Sequence, residues 1–199
     1  LKGSNHFSFS GPTSFGKSFV IDAFINYIIK NRRGLDNIVV LVPTRALINQ
    51  VSQRLKKTIV KEYKDSYEIL TQPVVPYLYR NKDNKYIFVL TPERLISYFR
   101  NKDDPSIQYM FIDEAHKIIK EDDSRAPVYY HAISMADRRS VKLYFASPNI
   151  TNSDIFLKIF DKNTDESISI TESPVSQYKY FVDLIDNKGY IFLNSGKIK

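Results

Sequence analysis

Short apolar runs alternate along this chain with longer stretches in which apolar positions recur every three or four residues. Phe7 to Phe9, residues 38 to 42 (Ile-Val-Val-Leu-Val), Tyr86 to Leu90, Tyr109 to Ile112 and Val141 to Ala146 are the clear short runs. Each has the length of a strand, and near-continuous apolarity suits strands buried on both faces of a parallel sheet. A weaker run lies near Tyr67 to Leu70. Phe19 to Ile29 has helical periodicity. So do residues 45 to about 60, with Leu47, Ile48, Val51, Leu55 and Ile59 on one stripe. Thr44 stands where it can cap that second helix. Pro92 to Tyr98 reads as a helix with Pro in its first turn, and residues 125 to 138 include another. Residues 73 to 85 and 101 to 106 read as a loop and a turn. After Pro148 the pattern weakens. Asp154 to Phe160 is a short helix candidate. Tyr178 to Leu184 and Tyr190 to Leu193 flank a turn at residues 185 to 189 and read as a hairpin.

Strands alternating with helices predict an α/β fold, a doubly wound and mainly parallel sheet flanked by helices. A length of 199 residues supports one sizeable core, or one domain with a short appendage. The expected division is a nucleotide-binding domain over residues 1–150. Residues 151–199 then finish that domain or begin a connection to a further lobe.

The first candidate chemistry follows the first strand. Gly11, Pro12, Thr13, Ser14, Phe15, Gly16, Lys17 and Ser18 fit the Walker A pattern G-x-x-x-x-G-K-[ST] at every fixed position. A strand leads in and a helix leads out. Backbone N–H groups of such a loop, with the positive end of the helix, converge on phosphate oxygens. Lys17 reaches the β/γ-phosphates in this arrangement, and the Ser18 hydroxyl sits on Mg²⁺. The second candidate is Asp113-Glu114-Ala115-His116, at the end of the run Tyr109 to Ile112. Ligands of open α/β sheets bind at the carboxyl ends of strands. Asp113 is therefore placed to hold Mg²⁺, and Glu114 to orient and deprotonate an attacking water. The plainer alternative is an acidic helix start.

Asp113 to His116 spells motif II of the DEAH-type superfamily 2 helicases, and other segments match in the expected order. Pro43-Thr44-Arg45-Ala46-Leu47 resembles motif Ia, and Thr91-Pro92-Glu93-Arg94-Leu95 resembles motif Ib. Ala146-Ser147-Pro148-Asn149 stands where motif III, usually Ser-Ala-Thr, is found, and departs from that spelling. The chain thus resembles the first RecA-like, ATP-binding lobe of a DEAD/DEAH-box helicase over about residues 6 to 150. The resemblance implies ATP as the nucleotide and Mg²⁺ as its ion. It implies Thr44, Arg45, Thr91 and Arg94 along a DNA or RNA backbone, with Glu93 fitting only if it holds a neighbouring Arg. It implies a coupling role for His116 and Ser147, and a second RecA-like lobe as partner. For Thr44 and Thr91 simple N-capping stays open. For Arg45 a surface helix position stays open, and for His116 a satisfied histidine at a helix start.

Composition adds limits. A net charge of +7 suits a polyanionic partner such as a nucleic-acid backbone, or simply a basic surface. The absence of cysteine excludes disulfides and thiolate metal sites, and fits a cytoplasmic location. No apolar run approaches a membrane span. The first residue is Leu rather than Met, as in an excised piece of a longer chain. Two rival readings remain from the sequence. One is an ATP-operated remodelling switch or nuclease-associated motor that does not unwind. The other is a nucleotide-binding interaction module with little turnover. Intact Lys17, Ser18, Asp113 and Glu114 weigh against the latter.

Overall fold

A computed structural model describes residues 5–12, 16–32, 35–59, 61–80, 85–101, 103–120, 123–148, 150, 152–170, 179–185, 188–193 and 196–198. Thr13, Ser14 and Phe15 of the phosphate-loop motif lie outside the described residues, as do Asn149, Tyr178, Asp186 and Asn187.

Seven strands form one sheet: β1 (Phe7–Ser10), β2 (Ile38–Leu41), β3 (Tyr67–Leu70), β4 (Lys85–Leu90), β5 (Tyr109–Ile112), β6 (Lys142–Ser147) and β7 (Ser167–Ser169). Their order is β3-β4-β2-β5-β6-β1-β7, and every neighbouring pair is parallel. Helices α1 (Lys17–Asn31), α2 (Arg45–Thr58), α3 (Pro92–Arg100), α4 (Ala126–Asp137) and α5 (Ile155–Ile159) accompany it. The predicted α/β class and its parallel sheet are thus present. Four features had no sequence signal. Short 3-10 turns lie at Lys61–Ser66 and Ala115–Ile118, and a third, Tyr77–Tyr79, lies inside the predicted loop. Strand β7 extends the sheet beyond β1.

The continuous apolar runs resolve into two faces because strand side chains alternate. Ile38, Val40, Ile87, Val89, Phe111 and Tyr144 face one way and pack with Ile21, Ile25, Ile48, Val51 and Leu55 of α1 and α2. Val39, Leu41, Phe88, Leu90, Met110, Ile112, Leu143 and Phe145 face the other way. They pack with Leu95 and Tyr98 of α3, Tyr129 and Ile133 of α4, and Phe156 of α5. Two cores back to back bury the sheet on both sides, which explains why the strands lack polar alternation. Strand β1 departs from this. Phe7 and Phe9 join the first core, but Ser8 and Ser10 turn to the other face. There Ser8 Oγ donates to the Ser153 carbonyl at 2.6 Å, and Ser10 Oγ donates to Ser169 Oγ at 3.1 Å. The segment after β6 and the edge strand β7 are stitched to β1 by hydroxyls.

The predicted hairpin is also present. Strand β8 (Lys179–Asp183) pairs antiparallel with β9 (Lys188–Leu193), and a third strand, β10 (Gly196–Ile198), pairs with β9. These three form a separate small sheet.

Candidate active site

A parallel sheet delivers the end of every strand to the same edge. Here that edge collects Gly11 after β1, Pro43 after β2, Thr91 after β4, Asp113 after β5 and Pro148 after β6. Backbone hydrogen bonds tie these exits together. The Gly11 amide donates to the Ser147 carbonyl at 3.3 Å, Val42 to Leu90 at 2.9 Å, and Asp113 to Leu41 at 3.0 Å. The two sequence motifs that are far apart in the chain thus meet through strand order rather than through contact of their own side chains.

The described part of the loop from Gly11 to Ser18 ends in a tight turn. Gly16 is left-handed, at φ 77° and ψ 38°, and immediately precedes α1. Only glycine takes that conformation without steric cost. The Gly16 carbonyl accepts from the Phe19 and Val20 amides, so the turn is continuous with the helix. Lys17 is 6% exposed. Its Nζ donates to the Gly11 carbonyl at 3.3 Å and the Pro12 carbonyl at 3.4 Å. Among the described residues these long contacts to neutral carbonyls are its hydrogen bonds, and a buried ammonium so paired is poorly compensated. A phosphate in the loop would supply the missing negative charge. Ser18 follows in the first turn of α1 and is half-buried.

Asp113 and Glu114 end β5 as expected. Burial raises the Asp113 carboxyl above its ordinary range, and the Glu114 charge raises it further. Arg54 and Lys17 oppose that rise, which puts both cations within electrostatic reach of this carboxylate. Asp113 Oδ1 also accepts from the Glu114 amide at 3.0 Å. Asp113 and the Ser18 hydroxyl are hard oxygen donors of the kind Mg²⁺ takes. A partly buried carboxylate whose charge is disfavoured fits a cation that would restore it. Glu114 is itself left-handed, at φ 55° and ψ 45°. For a residue with a side chain this costs of order 1–2 kcal/mol, and such strain concentrates at functional sites. The turn it makes buries Ala115 and Ile118 in the core while the carboxylate stays at the edge.

His116 Nδ1 lies 3.3 Å from Glu114 Oε2 but has no aligned hydrogen-bond partner. Burial lowers its pKa against the upward pull of Glu114, and the nearby Lys117, Lys120 and Lys17 charges lower it too. Ser147 is fully buried, and its Oγ also lacks a partner. The 3-10 turn that carries His116 packs against β6, which carries Ser147. These two unsatisfied groups therefore sit on neighbouring elements, although no hydrogen bond joins them.

The proposed polymer-contacting residues divide into two kinds. Thr44 and Arg45 are exposed at the start of α2, and Arg45 has no ion pair among the described residues. Thr44 occupies the N-cap position, in extended geometry, but its hydroxyl makes no cap hydrogen bond. Simple capping therefore does not explain it. Thr91 is buried at the N-cap of α3. Arg94 is half-buried, and its Nη1 donates to the Thr71 carbonyl at 2.6 Å.

Arg125 escaped the sequence reading. Its Nε and Nη2 donate to Glu93 Oε1 at 3.0 and 2.7 Å, and its Nη1 donates to the Pro43 carbonyl at 2.6 Å. One guanidinium thus joins the loop after β2, the start of α3 and the start of α4. Glu93 thus has a neighbouring arginine. Burial raises the Glu93 carboxyl, but hydrogen bonds from its own amide, Thr91 and Arg125 bring it below its ordinary range. Arg54 was missed as well. It donates to buried Asp22 at 2.8 Å and so pins α2 to α1 beside the phosphate loop. Neither arginine lies in a motif, so pattern alone gave no signal for them.

Among the described residues no helix is long and apolar enough to cross a membrane, and no group of three or more His, Asp or Glu side chains could hold a metal by itself. No curated protein matches the chain with significance. The family model described as DEAD/DEAH box helicase matches residues 1–154, more than three quarters of the sequence. That span takes in the phosphate loop, the Asp113–His116 turn and the loops that follow β2 and β4. The chain belongs to the DEAD/DEAH box helicase family.

Proposed function

We propose that this chain is the ATP-binding lobe of a helicase or translocase that hydrolyses ATP with Mg²⁺ and uses it to move on, or unwind, DNA or RNA. The observation that carries the reading is the buried Lys17 ammonium, which has no anionic hydrogen-bond partner among the described residues and lies in a loop that shares its sheet edge with Asp113 and Glu114. Lys17 would face the β/γ-phosphates, and the loop amides would hold their oxygens. Asp113 and Ser18 would hold Mg²⁺, which when bound neutralises charge on the phosphates. Glu114 would orient the attacking water and take its proton at a carboxylate oxygen. His116 and Ser147 would carry the state of the site toward the loop after β6.

The test of this reading is Lys17→Ala. The lost charge-assisted contact is worth about 1.5–3 kcal/mol, or roughly a tenfold to hundredfold weaker ATP–Mg²⁺ affinity in titration calorimetry. The fold should persist, because the hydrogen bonds of Lys17 among the described residues are long and go to its own loop. Equal affinity in both proteins would remove the phosphate-loop assignment.

Along the polymer, Thr44, Arg45, Thr91 and Arg94 would contact phosphates that position a strand without reading its sequence. The two arginines should differ. Arg45 is free to meet a phosphate, so Arg45→Ala should lower the salt slope of single-strand binding by about one charge's worth. Arg94→Ala should also destabilise the lobe by about 1 kcal/mol, through the lost bond to Thr71. Binding isotherms at several salt concentrations, with urea melts, separate the effects. A base-dependent loss at unchanged slope would place Arg45 on a base edge instead. A second RecA-like lobe is part of the proposed machine, since an arginine from an opposing surface contributes about 10³ to 10⁵ in rate to phosphoryl transfer. Without it the lobe should bind nucleotide, turn over poorly and not unwind.

A further inference from the structure

We propose that Phe19 is the platform on which the purine ring of bound ATP stacks, an inference that rests on the ATP-binding reading above. Phe19 directly follows Ser18, in the first turn of α1. Its amide donates to the Gly16 carbonyl at 2.8 Å, so its backbone is fixed by the loop that would grip the phosphates. Its ring is 75% exposed, while Ile21 and Ile25 of the same helix are buried. The outward stripe runs Phe19, Ala23, Tyr27. Ala23 is too short to cover the ring, and Phe19 has no aromatic partner among the described residues. A Phe left in water beside a ligand loop is an unused apolar face. A triphosphate held at the helix start brings its nucleoside past this first turn. Every base has a π-face, and stacking on an aromatic side chain is tolerant of base identity. Phe19 therefore supplies affinity for the nucleoside and little discrimination between adenine and guanine.

The chain contains no tryptophan, so Phe19→Trp introduces a sole indole at this position. Its fluorescence should be quenched by ATP–Mg²⁺ and by GTP–Mg²⁺, and unaffected by tripolyphosphate–Mg²⁺. In calorimetry Phe19→Ala should bind ATP roughly tenfold more weakly and bind tripolyphosphate as the wild type does. Phe19→Tyr should restore the ATP affinity. An indole that does not respond while calorimetry registers ATP overturns the stacking role and leaves the ATP-binding reading intact. An equal loss of ATP and tripolyphosphate in Phe19→Ala also overturns it, since the residue would then shape the loop. Failure of the wild type to bind either ligand removes the phosphate-loop reading and this inference together.

Discussion

Glu114→Gln is expected to slow ATP hydrolysis by about 10²- to 10⁴-fold, the usual contribution of a positioned general base, while ATP stays bound. Glutamine keeps the length and shape of the side chain but cannot take a proton. The carboxylate stands at the carboxyl end of β5, beside Asp113 and on the same edge as the phosphate loop. The left-handed backbone of Glu114 fixes where it points, and that backbone is set by the burial of Ala115 and Ile118 on its far side. The substitution should therefore leave the fold untouched. Asp113→Asn should have a different signature, losing Mg²⁺-dependent binding before any loss of the chemical step. Turnover should be measured with both lobes and nucleic acid present, and binding by calorimetry. A Glu114→Gln protein that turns over at the wild-type rate would exclude Glu114 from proton transfer.

Phe156→Ala should destabilise the lobe by about 3–5 kcal/mol, the usual cost of emptying a buried Phe site. Phe156 lies beyond residue 154, where the family match ends. It is nevertheless fully buried, and its ring stacks on Phe145 of β6 with centroids 5.6 Å apart. Phe160 also stacks on Phe145, with centroids 5.7 Å apart. Ser8 and Ser10 of β1 bind the neighbouring segment through Ser153 and Ser169. These contacts pack the segment around Phe156 into the core beneath β6. Urea denaturation of the two proteins gives the comparison. A loss below about 1 kcal/mol, the scale of an ordinary surface change, would mean that α5 is peripheral and that the lobe ends near residue 150.

The sequence by itself determined the strand–helix alternation and the two motifs proposed to carry the chemistry. These are local quantities. The apolar run from Ile38 to Val42 reads as a buried strand, and β2 occupies Ile38–Leu41 of it; Gly16-Lys17-Ser18 puts a turn, a cation and a hydroxyl within three positions. The order of Thr44-Arg45, Thr91-Arg94 and Asp113–His116 was legible for the same reason, since each motif is a short run. The hairpin of β8 and β9 was read from two apolar runs and the turn between them.

The tertiary structure decided what depends on long-range pairing. Strand β7 has too little apolar content to announce itself, and becomes a strand because β1 offers it a free edge and Ser10 a hydroxyl. The 3-10 turn after β5 follows from the left-handed Glu114, a conformation that sequence disfavours and core burial of Ala115 enforces. Arg94 and Arg45 look alike in sequence, yet Arg94 bonds the Thr71 carbonyl while Arg45 has no ion pair among the described residues. Arg125 lies outside every motif and still joins Pro43, Glu93 and α4, because the sheet order brings the ends of β2 and β4 side by side. Local pattern specifies which groups a protein has. Only the pairing of distant strands specifies which of them meet, because that pairing is won by burying two apolar faces that no single segment contains.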